Sequence, residues 1–309
     1  MSRLDNSIAG THLGKKSEYA EVYDPSLLVA VPRKPNRDSI NVDCNNTPWK
    51  YAYDVWNCYE ISSLLNNGQP FSGVGKIVYD GNTECIVESK SLKLYLNSFN
   101  QTRTKASSIL EAYEELKVII ERDLSKLLNT VVRINISDSR FGQDYMNQAD
   151  YFTYGNGSLI SFTNIDQVIN TETYTQYHEN PDLLQVTKWL GKDNSRIHTS
   201  NLFSRCQITN QPDHGDLFIT YDVKDKYIGL GSISKYIASI RGHSCFHEPT
   251  VETIFKHLYD KLNPNRLMVC AFYTRRGGIS IAPIRSTHEE LIPYNVINHR
   301  IAHVKLPRE

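Results

Sequence analysis

We predict from the sequence an α+β fold in which one unit, an antiparallel sheet with helices on one face, occurs twice. Three observations lead to this prediction. Strand-like segments flank long helical patterns, the same order of segments returns about 142 residues later, and a length of 309 residues is typical of about two domains. A hydrophobic content of 40% is sufficient for the cores of two such units.

An arm precedes the first unit. Residues 1–45 are rich in turn formers and charges, and Pro25, Pro32 and Pro35 exclude a long helix. We therefore predict that this segment is an extended N-terminal arm.

The first unit begins with a predicted hairpin. Turn-forming residues at 80–82 separate two strand-like runs, 75–80 and 84–88. A long helix follows, because apolar residues recur every three or four positions between Ile109 and Leu127. Ser108 and Glu111 match a capping box at the start of this helix. Residues 131–136 are a predicted strand that follows it.

The second unit is predicted from identities that recur at a nearly constant offset. These identities pair Gln69-Pro70 with Gln211-Pro212, Tyr79-Asp80 with Tyr221-Asp222, and, after a one-residue slip, Ser91, Tyr95 and Ser98 with Ser232, Tyr236 and Ser239. The unit again contains a helix, from Pro249 to before Pro264, and two strands, at 267–273 and 278–282. We predict an N-terminal module at 46–140, an inter-module insertion at 141–200 and a C-terminal module at 201–309.

Composition excludes several classes of partner. The chain has 34 Lys and Arg and 34 Asp and Glu, so no broad basic field is available for nucleic acid or an anionic membrane. Residues 1–10 lack the apolar segment of a signal peptide, and the apolar run at 27–31 is too short to cross a bilayer. We expect a cytoplasmic protein with a small-molecule partner and six free thiols, because the cysteines lack paired spacing.

Candidate chemistry lies around Cys206 and Asp213. Turn-forming residues separate the two, namely Asn210, Pro212 and Gly215, so the thiol can end one strand while the carboxyl group folds back beside it. A Cys beside an acid is typical of covalent catalysis, although a small core residue and a turn cap explain an isolated pair more simply. The rest of the sequence has to decide between these interpretations.

The two units differ at their chemically reactive positions. Where the second unit has Asp213 after its Gln-Pro pair, the first has Phe71. Only the first unit has the acid and the lysine of Glu88-Ser-Lys90. Only the second has His247-Glu248 before its helix. This distribution predicts one site assembled from both halves.

These residues carry a resemblance to a known family. The sequence resembles the long, two-module NADPH-dependent 7-cyano-7-deazaguanine reductases in four motifs: VESKSLKLYLNSF at 87–99, Cys206 with TNQPD at 209–213, CFHE at 245–248 and TRRGGIS at 274–280. The arm is also similar, in LGK at 13–15 and YDPSLL at 23–28. The similarity decreases between 141 and 200.

The resemblance implies tandem tunnelling-fold modules and four-electron reduction of a nitrile to an amine in queuosine biosynthesis, with two NADPH consumed per substrate. It implies that Cys206 forms a thioimidate with the nitrile carbon, that Asp213 supplies a proton and that His247 is a further proton source. The substrate-binding residues that it implies are Val87, Glu88, Ser89, Phe246, His247 and Glu248, and the NADPH-binding residues are Ser89, Lys90, Arg276 and Gly277. It requires no metal. We also expect a homodimer, because sheets with open edges favour association.

Two other functions remain as alternatives. His243, Cys245 and His247 are spaced so that they could bind zinc, as in a cyclohydrolase of the same fold that acts on a purine or pterin. The other alternative is a catalytically inert RNA- or nucleotide-binding module. The neutral charge and the intact Cys206 and Asp213 pair argue against it.

Overall fold

The structure is a computed structural model that describes residues 20–138, 152–168 and 172–301. Both halves of the chain combine antiparallel strands with helices, which confirms the α+β prediction. The strands are β1 (Ala30–Pro32), β2 (Tyr51–Leu64), β3 (Pro70–Asp80), β4 (Cys85–Val87), β5 (Arg133–Asp138), β6 (Thr163–Asn164), β7 (Val186–Arg205), β8 (Pro212–Ile228), β9 (Arg266–Tyr273) and β10 (Ile279–Ser286). The helices are α1 (Lys34–Ser39), α2 (Ser89–Asn97), α3 (Ile109–Leu128), α4 (Ile165–Val168), α5 (Leu230–Ser239), α6 (His247–Leu262) and α7 (Tyr294–Ile297).

Both halves share one main sheet of eight strands in the order β5-β3-β2-β10-β9-β8-β7-β6. Its pairs are antiparallel except for the short parallel pair of β6 with β7. The halves meet where β2 pairs with β10, from Tyr51 opposite Ser286 to Cys58 opposite Ile279. The two units therefore form one continuous sheet, which fixes the position of one half relative to the other.

The long helices cover one face of this sheet. In the N-terminal half, Leu116 and Leu124 of α3 pack into a core cluster with Tyr95 of α2. In the C-terminal half, Phe255 of α6 packs in a corresponding cluster with Tyr236 of α5. A third core cluster is formed by other apolar residues of the sheet together with residues that pack on them, and it includes Phe152, Phe218, Met268, Phe272 and Leu291. The helices on one face agree with the sequence prediction.

The predicted hairpin between residues 75–80 and 84–88 is wrong. Strand β3 pairs with β2, which precedes it, whereas β4 pairs with β1 of the arm in a separate two-stranded sheet. The chain between β3 and β4 packs closely against the side chain of Arg285 and does not form a tight hairpin turn. A Cβ on Gly81 would lie only 2.6 Å from Nη1 of Arg285. The predicted helix with its capping box at Ser108 and Glu111 is confirmed.

The described part of the N-terminal arm is folded against the body of the protein. It contains β1 and the short helix α1, and both Arg33 and Arg37 are buried. The prolines exclude only a long helix, as predicted. Residues 1–19 of the predicted arm lie outside the described residues.

The segment predicted as an insertion contributes to the second half. Strand β7 begins at Val186, before the boundary predicted at residue 200, because it forms a long antiparallel hairpin with β8. A short 3-10 turn at Pro181–Leu183 precedes it, as a similar turn at Pro25–Leu27 precedes β1. Residues 139–151 and 169–171 of this region lie outside the described residues.

Candidate active site

A cavity of about 350 Å³ lies where elements of both halves converge. The predicted site residues that line it are Val87, Glu88, Ser89, Lys90, Cys206, Asp213, Phe246, His247, Glu248 and Arg276. Gly277 lies beside Lys93, which lines the same cavity. The structure therefore brings the predicted residues of both halves together within one chain.

The turn between β7 and β8 positions Cys206 as the sequence predicts. Strand β7 ends one residue before Cys206, and Asp213 is the second residue of β8, opposite Ser204. The Cys206 amide donates to the Gln211 carbonyl at 2.9 Å, and the Asn210 amide donates to the Cys206 carbonyl at 2.8 Å. Asn210 has a φ of 54°, which Asn tolerates better than most residues. The thiol is half-buried at the edge of the cavity.

Backbone hydrogen bonds fix the start of α6 beside this turn. The Arg205 amide donates to the His243 carbonyl at 2.9 Å, and the Cys245 amide donates to the Arg205 carbonyl at 3.0 Å. Phe246 is the N-cap of α6, so His247 and Glu248 occupy its first turn. The thiol turn and these two side chains are thereby held together by the backbone.

The buried carboxyl group of Asp213 lies between the imidazole of His247 and the guanidinium of Arg276. Nε2 of His247 lies 3.3 Å from Oδ1 of Asp213, and Nη1 of Arg276 lies 3.1 Å from the same oxygen. The His247 ring stacks on Tyr273, with centroids 3.8 Å apart and planes 8° apart. The contact between Arg276 and Asp213 was not predicted, because the family resemblance implied only a cofactor-binding role for Arg276. The arrangement allows proton movement between His247 and Asp213.

The carboxylate of Glu88 caps a helix as well as lining the cavity. Its Oε1 accepts from the Lys90 amide at 2.9 Å, and its Oε2 accepts from the Ser91 amide at 2.7 Å, at the N-terminus of α2. These bonds hold the side chain in one orientation.

Glu248 is the other carboxyl group of the cavity, and it is only 2% exposed. Its Oε1 has no hydrogen-bond partner among the described residues. Burial, reinforced by the charge of Asp54, raises the pKa of Glu248 to about 8, while Arg33 and Arg285 oppose this shift. A ligand with adjacent N–H donors would provide the missing partners.

Cationic side chains lie on the side of the cavity formed by α2 and the connection from β9 to β10. Lys90, Lys93 and Arg276 all line it, and burial lowers the pKa of Lys93. Gly277 has a φ of 51°, and a Cβ there would lie 3.1 Å from Nζ of Lys93. Lys93 was not among the predicted site residues, although its position three residues after Lys90 on a helix indicates a shared face.

Several other lining residues were also missed. They are Trp56, Ile86, Thr209, Gln211, Thr274, Ile279 and Ile281. Ile279 and Ile281 are consecutive inward positions of β10, and Trp56 lies opposite Ile281 on β2. Only the pairing of β2 with β10 brings these apolar residues together, and no local pattern in the sequence indicates that pairing.

The side chains of the alternative zinc site face different partners. Nδ1 of His243 hydrogen-bonds to Glu179, Sγ of Cys245 lies 3.4 Å from Oδ1 of Asn36, and His247 faces Asp213. Within residues 20–138, 152–168 and 172–301, no three His, Cys, Asp or Glu residues are grouped so that they could hold a metal ion. In that same part of the chain, no helix is both long and apolar enough to cross a membrane.

Comparison with known proteins identifies relatives of both halves. Residues 19–136 match the family model described as nitrile reductase, 7-cyano-7-deazaguanine-reductase N-term, and residues 212–291 match the model described as QueF-like protein. The chain is 36% identical over 277 residues to an NADPH-dependent 7-cyano-7-deazaguanine reductase of Legionella pneumophila (strain Corby), covering 90% of each chain. It is also 36% identical over 293 residues to proteins of that name from Rickettsia canadensis, covering 95% of this chain and 97% of the relative, and from Coxiella burnetii (strain CbuK_Q154), covering 94% and 95%.

One solved structure, the archaeosine synthase QueF-Like in the apo form, aligns with 33% of this chain and 98% of its own. The TM-score is 0.28 and the sequence identity is 17%.

Proposed function

The chain belongs to the family of NADPH-dependent 7-cyano-7-deazaguanine reductases, and we propose that the cavity around Cys206 is its active site. The enzyme reduces the nitrile of 7-cyano-7-deazaguanine to the primary amine of 7-aminomethyl-7-deazaguanine, in queuosine biosynthesis. The observation that supports this site best is the convergence of Cys206, Asp213, His247 and Glu248 from one half with Glu88 from the other.

The proposed reaction begins with Cys206. Its thiolate forms a bond to the nitrile carbon, and the nitrile nitrogen takes up a proton from Asp213, which gives a thioimidate. His247, 3.3 Å from Asp213, replaces that proton. The tether holds the substrate while the nitrile carbon accepts the first hydride and the nitrogen takes a second proton. The C–S bond then breaks to release the thiolate and a protonated imine, and the carbon of that protonated imine accepts the second hydride to give the amine.

The cations of the cavity fit the cofactor. NADPH supplies one hydride per molecule, so two molecules and two protons are consumed per nitrile. Lys90, Lys93 and Arg276 provide positive charge for its phosphates, and Gly277 leaves the backbone accessible beside them. Ser89 lines the cavity next to Lys90. We propose that these residues bind NADPH.

The two carboxyl groups fit the base. The N1–H and exocyclic amine of the deazaguanine are adjacent donors, which a carboxylate accepts through charge-assisted hydrogen bonds. Glu248 has an oxygen without a partner among the described residues, and Glu88 is held in place by its helix cap. Val87 and Phe246 provide apolar contact area around the base. An analogue that lacks a donor would leave Glu248 unpaired, which gives strong discrimination.

We further propose that each half is one tunnelling-fold module. The repeated order of hairpin, two helices and two strands supports this in the C-terminal half, where β7, β8, α5, α6, β9 and β10 follow one another. In the N-terminal half, β2, β3, α2, α3 and β5 follow the same order up to the first strand after the helices, with the short strand β4 before α2. The proposed modules are the predicted segments 46–140 and 201–309, with the second extended towards the N-terminus to include all of β7.

We also propose a cytoplasmic homodimer. All six cysteines are free, which suits a reducing compartment. Strands β5 and β6 are the edges of the eight-stranded sheet, and β6 covers β7 only at Ile197 and His198. Exposed strand edges are templates for pairing with a second chain.

Incubation with the substrate tests the proposed function. With saturating 7-cyano-7-deazaguanine, wild type should oxidise two NADPH for each amine formed, as identified by mass. Without NADPH, intact-protein mass spectrometry should show a covalent adduct that Cys206→Ala lacks and that the control Cys44→Ala, at another half-buried thiol, retains. An adduct that persists in Cys206→Ala would contradict the assignment of the nucleophile.

A further inference from the structure

A cluster of buried charges lies beside Glu248. It consists of Arg33 and Arg37 of the arm, Asp54 of β2, Glu252 of α6 and Arg285 of β10, all buried. Arg285 binds both acids, through Nη1 to Asp54 Oδ1 at 2.9 Å and through Nη2 to Glu252 Oε1 at 2.8 Å. Arg33 pairs with Asp54, and Arg37 pairs with Glu252 at 2.8 Å. Within this set, three guanidinium groups face two carboxylates.

One negative charge is thus missing from the cluster, and an ionised Glu248 would provide it. Arg33 has the least complete set of hydrogen bonds among the three arginines, because its Nε and Nη1 have no hydrogen-bond partner among the described residues. Its Nη1 approaches Glu252 Oε1 only to 3.8 Å. Buried ions without full pairing are costly, so this imbalance favours negative charge on the neighbouring carboxyl group.

The arm that contains Arg33 also positions the second carboxylate of the cavity. Strand β1 pairs with β4, which places Ala30 opposite Val87, and the Glu88 amide donates to the Val29 carbonyl at 2.8 Å. The Arg33 amide continues this pairing by donating to the Glu84 carbonyl at 2.9 Å. The same segment therefore contacts the strand before Glu88 and the charge cluster beside Glu248.

We propose that Arg33 is a positioning residue for substrate recognition, whose guanidinium lets Glu248 meet the guanine edge of the substrate as a carboxylate. This inference rests on the proposed function, since it assumes that the base lies against Glu248. The charges that act on Glu248 come from several elements, namely Arg33 of the arm, Asp54 of β2 and Arg285 of β10. Tyr79 of β3 and Tyr273 of β9 also interact with it, and His247 and Glu252 are the other titratable residues on its side of helix α6.

The sign of the pH effect follows from the charges. The N–H donors of the base bind the ionised form of Glu248, and burial raises the pKa of this carboxyl group to about 8. Affinity should therefore be highest above pH 8 and fall by up to tenfold per unit below it. Removing the charge of Arg33 raises the pKa of Glu248, so the fall should begin at a higher pH. Removing the charge of Asp54 should move it to a lower pH.

Binding in a Cys206→Ala background tests the proposal without covalent chemistry. Calorimetric titration with 7-cyano-7-deazaguanine between pH 6 and 9 should show about tenfold weaker binding at pH 7 for Arg33→Met, which corresponds to one unit of pKa. Arg33→Lys should recover part of this loss because it keeps the charge. The control Lys34→Met, at the adjacent and exposed side chain, should bind as the background does.

Opposite shifts of the pH profile distinguish the proposal from a structural role. Arg33→Met should move the profile up and Asp54→Asn should move it down, whereas simple loss of packing would weaken binding without opposite shifts. Profiles that coincide with the background would overturn the proposal. If Arg33→Met does not fold, Arg33→Gln, which removes the charge but keeps a polar side chain, takes its place in the same pH series. If wild type neither binds nor reduces the nitrile, the proposed function fails first.

Discussion

The two halves of the chain repeat their scaffold but not their site residues. In the N-terminal half, the Ser98 hydroxyl donates to the Tyr95 carbonyl at 2.6 Å and accepts from the Asp24 amide at 3.1 Å. In the C-terminal half, the Ser239 hydroxyl likewise donates to the Tyr236 carbonyl at 2.7 Å and accepts from the Asn180 amide at 3.2 Å. In both halves a segment that begins a 3-10 turn docks on the end of the first helix.

The cavity residues show the opposite behaviour. Glu88 caps α2 and lines the cavity, whereas its counterpart Gly229 starts α5 without a side-chain cap. Asp213 faces the cavity, whereas its counterpart Phe71 packs in the core beside Tyr113, with ring centroids 5.8 Å apart. The repeated interactions hold each half together, and the unrepeated residues supply complementary parts of one site. This division leads to three predictions.

The largest expected effect concerns the division of the site between the halves. Glu88→Ala and Cys206→Ala should each strongly reduce nitrile reduction, and a mixture allowed to exchange subunits should stay inactive. Each chain then carries one lesion in its own cavity. The measurement is NADPH oxidation with 7-cyano-7-deazaguanine, and mixtures of each variant with wild type are the control. Recovered activity would mean that the halves of the site come from different chains.

The second-largest expected effect concerns Asp213, whose counterpart in the N-terminal half is the core residue Phe71. Asp213→Asn keeps the size of the side chain but removes the ionisable proton, so kcat should fall about 10²- to 10⁴-fold. Substrate binding should be largely retained. Steady-state kinetics and calorimetry separate the two effects.

The matched control for Asp213 is Asp225→Asn on the same strand. Asp225 is exposed and has a φ of 59°, which Asn adopts readily, so this variant should keep the wild-type rate. An equal loss of binding and rate in Asp213→Asn would instead assign Asp213 to substrate recognition.

The contrast between the halves also shows what the sequence can predict. The helices follow from apolar periodicity, and the turn between Cys206 and Asp213 follows from local turn chemistry. The pairing of β2 with β3 was missed because β2 is buried on both faces over much of its length and lacks a simple alternation. The short run at 84–88 then appeared to be the partner of β3.

Two features depend on contacts between distant residues. The docking segments, DPSLL at 24–28 and NPDLL at 180–184, lie 156 residues apart rather than 142, so a search at a constant offset misses their similarity. Arg33 and Arg37 occur among turn formers and charges, a composition typical of an exposed arm. Arg37 contacts Glu252, 215 residues later in the chain. Only the assembled fold reveals that these arginines are buried.

The smallest predicted effect tests whether the scaffold interactions are equivalent. Ser98→Ala and Ser239→Ala each remove a fully buried hydroxyl that makes one donated and one accepted bond. Each should lower the free energy of unfolding by about 1 kcal/mol, because Asp24 and Asn180 are only partly buried and water can reach their amides. Urea unfolding followed by circular dichroism measures both values. The losses should be similar and additive in the double variant, since the two sites share no partner. A loss confined to Ser98→Ala would show that the segment at 180–184 does not stabilise its half as the arm stabilises the other, and the two docking interactions would then be alike in geometry only.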